Sequence, residues 1–482
     1  MEKFGLYIDG ERVPAQSGKW FETHYPYTGE TWALVAEGGP EDVELAVQAA
    51  HRAFTSGPWP KTSATQRGHL LCRLADLIEQ NAEELARAEM QDNGKTITEV
   101  RAQVKTLPPM YDYYGGLADK VEGAVIPADQ EQFLNYTTWE PLGVVAAITP
   151  WNSPLRLMSL KLAPALAAGN TVVVKPSEFT STSTLKLMRL VEEAGFPKGV
   201  VNVVTGFGQT VGQPLAAHPL VRKVSFTGGV EGGIKAYTTA AQGLKSVILE
   251  LGGKSPNIAF PDCDLDRAAQ EIAAGVFGST GQTCVAGSRL LVHRDIHDAL
   301  VERVAAAGRA RRMGDPMDES TEMAPVATPP QYEKIMGYIA LAKEQGATLY
   351  SGGKRATGPG LDKGFFVEPT IFTGVTPRMR IAQEEVFGPV LAVIPFETEE
   401  EAVAIANDVA FGLGSGIWTR DVARAHRVAR KIQAGTVWIN TYRRTNVQVP
   451  VGGFKNSGLG REAGAEMIKE YLQQKSVWVS LA

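Results

Sequence analysis

An α/β protein built on parallel sheets is what this 482-residue sequence predicts, and three features predict it. From Gly143 onward short β-branched runs alternate with helix-length stretches, the pattern that parallel strands and their crossover connections require. A second series of the same kind begins at Asp264. Hydrophobic residues make up 44% and charged residues 21%, ordinary for a soluble globular chain, and 50 glycines leave room for many tight turns. At about 100–200 residues per domain, the length suits two to four domains.

Taken in order, apolar positions recur at helical spacing over Val43–Phe54 and from Leu70 to Ala88, with Asn93-Gly94 as a stop. In the first series, strands are expected at Val144–Ile148, Thr171–Lys175, Val200–Val204, Val221–Phe226 and Val247–Leu251. Helices are expected between and after them, at Leu155–Ala168, Ser183–Ala194, Val211–His218 and Gly232–Ala241. Such a sheet carries its ligand at the carboxyl ends of its strands. In the second series a helix from Asp264 precedes a strand at Leu290–His293 and a helix over His297–Arg311. Further strands are expected at Val390–Pro395, Gly416–Thr419 and Thr436–Asn440, and helices at Glu400–Asn407 and Val422–Ala434. Two strand-like stretches, Phe133–Trp139 and Ser476–Leu481, stand outside both series. Strands without a local hairpin partner suggest pairing across subunits, hence a homo-oligomer.

Forty-eight basic against 53 acidic residues give a net charge of −5, no electrostatic footprint for nucleic acid or an anionic membrane. The three cysteines, Cys72, Cys263 and Cys284, are too few and too scattered for a disulfide framework and fit a reducing, cytoplasmic setting. Residues Met1–Gly10 do not read as a signal peptide, and no stretch reaches the ~18–20 apolar residues of a membrane helix. His293 and His297 have the spacing of a metal pair, but a strand-to-helix junction separates them and no third ligand is near, so no metal is expected. Arg309-Ala310-Arg311-Arg312 reads as a solvated helix end.

Three residues could do chemistry. Cys284, in Gly281-Gln282-Thr283-Cys284-Val285-Ala286-Gly287, has glycines that let backbone approach a ligand. It reads as a nucleophile or as a small buried hydrophobe. Cys72 lies on an apolar helix face and Cys263 in a turn, and neither reads as reactive. Glu250 ends the apolar run Val247-Ile248-Leu249, where burial would raise its proton affinity toward that of a general base unless hydrogen bonds satisfy it. Asn152 follows Thr149-Pro150-Trp151 at a strand end, placed either to donate to an oxyanion or to bond its own turn. Gly206-Phe207-Gly208 is a weak phosphate-loop signal, whereas Gly228-Gly229 and Gly232-Gly233 end a strand and open a helix whose N–H groups could hold a pyrophosphate.

The order of these pieces is more specific than any one of them. Thr149–Pro154, Val172–Glu178, Phe226–Gly233, Leu249–Pro256, Gly281–Arg289, Glu384–Val390 and Gly452–Glu462 occur in a sequence that strongly resembles the NAD(P)-dependent aldehyde dehydrogenase superfamily, end to end. The resemblance implies a Rossmann-like cofactor domain (1–120 and 142–251), an α/β catalytic domain (252–465) and a small β oligomerisation arm (121–141 and 466–482). It makes Cys284 the nucleophile, Glu250 the general base and Asn152 part of an oxyanion hole. Lys175 and Glu178 match the groups on the adenosine ribose, and Gly208, Gly228, Gly229 and Gly233 the adenine and pyrophosphate region. Glu385 matches the carboxylate on the nicotinamide ribose, with Phe387 beside it and Trp151 on the same cofactor-facing strand end. The implied reaction is oxidation of an aldehyde to its carboxylic acid, with NAD favoured by Glu178 and NADP left open, in a homodimer or homotetramer. A CoA-acylating enzyme and a non-catalytic binding protein are the alternatives; Glu250 argues against the first, and the joint presence of Cys284, Glu250 and Asn152 against the second. The sequence departs from the family pattern at Gly229, commonly serine, at Ser153, commonly aromatic, and at Val451, commonly phenylalanine. Arg443 and Arg444 read either as two solvated loop arginines or as groups near the tunnel mouth that suit an anionic aldehyde.

Overall fold

A computed structural model describes every residue from Met1 to Ala482. Five parallel strands form the centre of the first sheet, in the order Ser246–Glu250, Val221–Thr227, Val144–Ile148, Thr171–Lys175 and Val201–Val203. Antiparallel strands close both sides: Gly458–Leu459 beside Ser246–Glu250, and Leu6–Ile8 with Glu11–Val13 beyond Val201–Val203. The three central strands Val144–Ile148, Thr171–Lys175 and Val201–Val203 are buried along their whole length, as continuous apolar runs in a two-sided parallel sheet should be. Gly458–Leu459 belongs to this sheet although it falls within the stretch 252–465 expected for the catalytic unit.

The second sheet has seven strands, ordered Thr348–Ser351, Thr370–Thr373, Val390–Phe396, Arg289–His293, Pro256–Ala259, Gly414–Trp418 and Thr436–Ile439, with only the first antiparallel. Its helices include Leu265–Phe277, which Asp264 caps by accepting from the Arg267 N–H, and Pro329–Glu344.

Sequence periodicity finds the long elements and misses the short ones. The stretch before Val43 holds five strands of three to six residues, among them Trp20–His24 and Thr31–Ala36, too short to display a period. The helical run from Leu70 is two helices, Ala64–Gln80 and Ala82–Asn93, parted at Asn81; the second does stop at Gly94, whose φ of 70° caps it. Over Val211–His218 the expected helix is a π turn, Gly208–Gly212, running into the short helix Gln213–Ala217. The two outlying strands, here Phe133–Pro141 and Leu472–Ser480, pair with each other along nine residues and with Val125–Ile126 in a three-stranded sheet. Their partner is thus within the chain, and the outer strand keeps one open edge. No helix is long and apolar enough to cross a membrane.

Candidate functional site

The first sheet delivers its site residues at strand ends. Asn152 follows the strand Val144–Ile148, is buried, and its Nδ2 donates to the Gln282 carbonyl at 3.1 Å. That bond ties the amide to the backbone two residues before Cys284. Glu250 is the last residue of Ser246–Glu250; it is buried and its Oε1 has no hydrogen-bond partner. Burial raises its proton affinity well above that of an ordinary glutamate, with the Glu462 charge adding to the effect and Lys161 and Arg461 opposing it. Lys161 itself is fully buried, and its Nζ meets Glu462 Oε1 at 2.6 Å and Thr227 Oγ1 at 2.7 Å. Neither Lys161 nor Glu462 was singled out from the sequence. The available signal was a lone lysine inside the apolar run Leu155–Ala168, since a buried lysine needs a partner.

Cys284 comes from the second unit, just past the tight turn Gly278–Gly281. It is half-buried. Burial pushes its thiol up to about 12, helped by the Glu250 and Glu385 carboxylates and resisted by the Arg156 and Arg443 guanidiniums. The thiol is therefore protonated at neutral pH, and a neighbouring group of raised proton affinity, Glu250, suits the task of taking that proton. Two glycines allow this arrangement. A Cβ at Gly253 would lie 2.5 Å from the Cys284 carbonyl oxygen, and one at Gly281, where φ is 70°, would strike the Gly388 backbone. The other two cysteines are elsewhere: Cys263 is packed in the core of the second unit with its thiol pushed up to about 11, chiefly by burial, and Cys72 lies beside Asp112.

The residues expected around a dinucleotide lie at or past the carboxyl ends of strands in the first sheet, except Glu385 and Phe387, which precede the strand Val390–Phe396 of the second. Gly228 and Gly229 join the strand Val221–Thr227 to the helix Val230–Gln242, and the Gly228 N–H donates to the Glu250 carbonyl at 3.1 Å. No side chain caps that helix, so its first N–H groups are free to meet a phosphate. Gly233 packs against Leu251 where no Cβ would fit. A Cβ at Gly208 or Gly229 would meet nothing within 4 Å, which leaves both positions open to a ligand. Lys175 Nζ and Glu178 Oε2 are 3.2 Å apart. Glu385 Oε1 accepts from the Gly253 N–H at 2.9 Å. Phe387 and Trp151 pack edge to face, with ring centres 5.3 Å apart. A helix N-terminus without a side-chain cap, open space at Gly208 and Gly229, and the Glu178 and Glu385 carboxylates are features that fit a dinucleotide.

Other expectations resolve individually. His293 ends a strand with Nε2 against the Glu397 carbonyl, and His297 opens a helix beside Asp298. Arg309 and Arg312 pair with Glu302 and Asp318 as a solvated helix end should. Arg311 differs: it is half-buried and its Nε has no partner.

A thiol within electrostatic reach of a buried, unpartnered carboxylate, beside groups that fit a dinucleotide, defines an oxidoreductase that works through a covalent thiol adduct. Residues 13–477 match the model of the aldehyde dehydrogenase family, and the chain belongs to that family. It is 44% identical to betaine aldehyde dehydrogenase of Bacillus subtilis, over 98% of this chain and 96% of that one. It is 46% identical to aldehyde dehydrogenase 1 of Tanacetum cinerariifolium, over 98% of this chain and 94% of that one. The solved structure of an aldehyde dehydrogenase from Bacillus cereus in complex with NAD+ superimposes with a TM-score of 0.97 at 44% identity, over 100% of this chain and 97% of that one.

Proposed function

We propose that this enzyme oxidises an aldehyde to the corresponding carboxylic acid with NAD, and that Cys284, Glu250 and Asn152 carry the chemistry. The observation behind this reading is that Glu250 is buried without a partner and acts electrostatically on the Cys284 thiol. Cys284, once deprotonated, adds to the aldehyde carbon. The alkoxide so formed is met by Asn152 Nδ2 and the Cys284 backbone N–H, a kind of contact worth roughly 3–4 kcal/mol in other enzymes. When bound, NAD supplies the two-electron acceptor for the oxidation of that adduct. The product on the chain is a Cys284 thioester, and Glu250 takes a proton from the water that cleaves it, releasing the acid and the thiolate.

Lys175 and Glu178 would hold the adenosine ribose. A carboxylate there suits ribose hydroxyls and repels a 2′-phosphate, which supports NAD over NADP. The Gly228-Gly229 turn, Gly233 and Gly208 would hold the pyrophosphate and adenine, and Glu385, Phe387 and Trp151 the nicotinamide end. We assign 1–120 and 142–251, with the edge strand Gly458–Leu459, to the cofactor unit, the rest of 252–465 to the catalytic unit and 121–141 with 466–482 to an oligomerisation arm. Exposed Val125, Ile126, Leu134, Trp478, Val479 and Leu481 around the arm support assembly into a homodimer or homotetramer. Three free cysteines support a reducing, cytoplasmic setting.

The test is NADH formation at 340 nm across aliphatic, aromatic, amino and anionic aldehydes without coenzyme A, with the product identified. Free carboxylic acid is expected. Turnover that begins only when coenzyme A is added would replace hydrolysis by acyl transfer.

A further inference from the structure

Arg443 and Arg444 are adjacent in sequence but differ in their surroundings. Arg444 is exposed and paired with Glu271 at 3.3 Å. Arg443 makes no ion pair; its Nη1 reaches only the Ala274 and Gly278 carbonyls, at 3.4 and 3.5 Å. Its backbone has a φ of 58°, a conformation that costs a non-glycine residue about 1–2 kcal/mol and is retained at sites where position matters.

Two more cations share this region. Arg156 lies one turn beyond Asn152, at the start of the helix Pro154–Ala167, and its Nη2 donates to Thr445 Oγ1 at 3.2 Å, on the loop that carries Arg443. Lys95 is buried, and its Nζ donates to Ser153 Oγ at 2.8 Å, next to Asn152. No carboxylate lies within ion-pair distance of Lys95, Arg156 or Arg443, and each of the first two feels the charge of the other arginine, Arg443. The carboxylates that do act on these cations from further away are Glu99, Glu89 and Glu462. Glu99 is engaged with the Ser279 N–H at 2.7 Å, and Glu462 with Lys161. Glu89 is pushed by burial up to about 7, and burial likewise lowers Lys95 to about 8, so both ends of that interaction are weakened. Glu99 and Glu89 thus bear on Lys95, whereas Arg156 and Arg443 are left without an ion-pair partner, which is costly for the fold alone. Both arginines act electrostatically on the Cys284 thiol, Arg156 from the helix that follows Asn152 and Arg443 from the loop after the strand Thr436–Ile439. The small Ser153 leaves the Lys95 head group unscreened by an aromatic ring.

We propose that the substrate passage receives an aldehyde whose far end carries a carboxylate, gripped by Arg156 and Arg443 with Lys95 behind them. This rests on the aldehyde-oxidising reading of the Cys284 site. Guanidinium forks match a carboxylate bidentately, and such charge-assisted bonds are about twice as strong as neutral ones.

The test compares kcat/KM, with NAD and the full chain, for aldehydes of equal length ending in a carboxylate, a methyl or a quaternary ammonium group. The carboxylate is expected to lead by about 10-fold or more, and Arg156→Leu or Arg443→Gln to lower the carboxylate-to-methyl ratio by about 10- to 100-fold. Arg444→Ala, which removes a cation already paired with Glu271, should lower the ratio by less than Arg443→Gln does. A second measurement needs no variant: raising ionic strength should raise KM for the carboxylate substrate and leave that for the methyl substrate in place. Brisk turnover of the methyl or ammonium aldehyde with no advantage for the carboxylate would overturn this proposal alone. So would an unchanged ratio in Arg156→Leu. Reduction of NAD by none of the three, in protein that binds NAD, would overturn the dehydrogenase reading and this proposal with it.

Discussion

The two halves of the site are held in place by different means. Asn152, Glu250 and the Gly228-Gly229 turn sit at or just past the carboxyl ends of strands in the first sheet, where continuous ladders fix the backbone. Cys284, Glu385, Phe387 and Arg443 sit on loops of the second unit, and there the backbone is strained: Ser279, Thr280, Phe387, Asn440 and Arg443 have φ values of 52° to 58°. Strain of this kind persists only where the surroundings enforce it. They do so here, because Thr280 Oγ1 donates to the Ala324 carbonyl at 2.7 Å, and Gln331 Nε2 donates to the Val386 and Phe387 carbonyls at 2.9 Å. A regular sheet edge positions the base, and an enforced loop positions the nucleophile and the carboxylate expected on the cofactor.

The largest effect should come from the strand side. Glu250→Gln is expected to lower kcat by about 10²–10⁴-fold and to leave a thioester on Cys284 that intact-protein mass spectrometry detects. The pH profile sharpens this. Glu250 works deprotonated, and its pKa is raised, so kcat should fall on acidification well above the ordinary glutamate value of about 4.3. A limb at that ordinary value would assign the base to another group. The loop side is tested by Gly281→Ala, which adds a Cβ where φ is 70° and the Gly388 backbone blocks it. A loss of at least about 2 kcal/mol in urea unfolding is expected. Unchanged stability would mean that the loop yields and the contrast fails. The smallest effect returns to the strand side. Gly229 has open space around it and the extended φ and ψ of −70° and 155° that suit a capping serine. Gly229→Ser should therefore stabilise by only a few tenths of a kcal/mol and shift Tm by about 1 °C. A marked loss of NAD affinity would show that the turn is as tight as the loops opposite.

The same contrast explains what could be read from sequence. Glu250 and Asn152 are visible because an apolar β-branched run ends beside a polar residue, and a strand end is a place that local pattern specifies. Lys161 and Glu462 meet across 301 residues, and Lys95 reaches Ser153 across 58, so no local period announces either contact. Arg156 was hidden among the apolar residues of its helix, and only the fold shows that it faces the loop of Arg443. Reading Arg443 and Arg444 as a pair assumed that neighbours share an environment, whereas the positive φ of Arg443 turns the two side chains to different surroundings. For the arm, composition revealed both strands but not that they are each other's partner.

Residues 458–480 close parts of the molecule that precede them by hundreds of positions. Gly458–Leu459 covers the edge of Ser246–Glu250, Glu462 neutralises Lys161, and Leu472–Ser480 completes the ribbon begun at Phe133. A chain leaving the ribosome at about 5–20 residues per second therefore carries a bare sheet edge and an unmatched lysine for roughly 10–40 s after residue 250 has been made. Open edges template pairing with other chains. The exposure of that edge falls within synthesis itself, and it ends once residues 458–462 are in place.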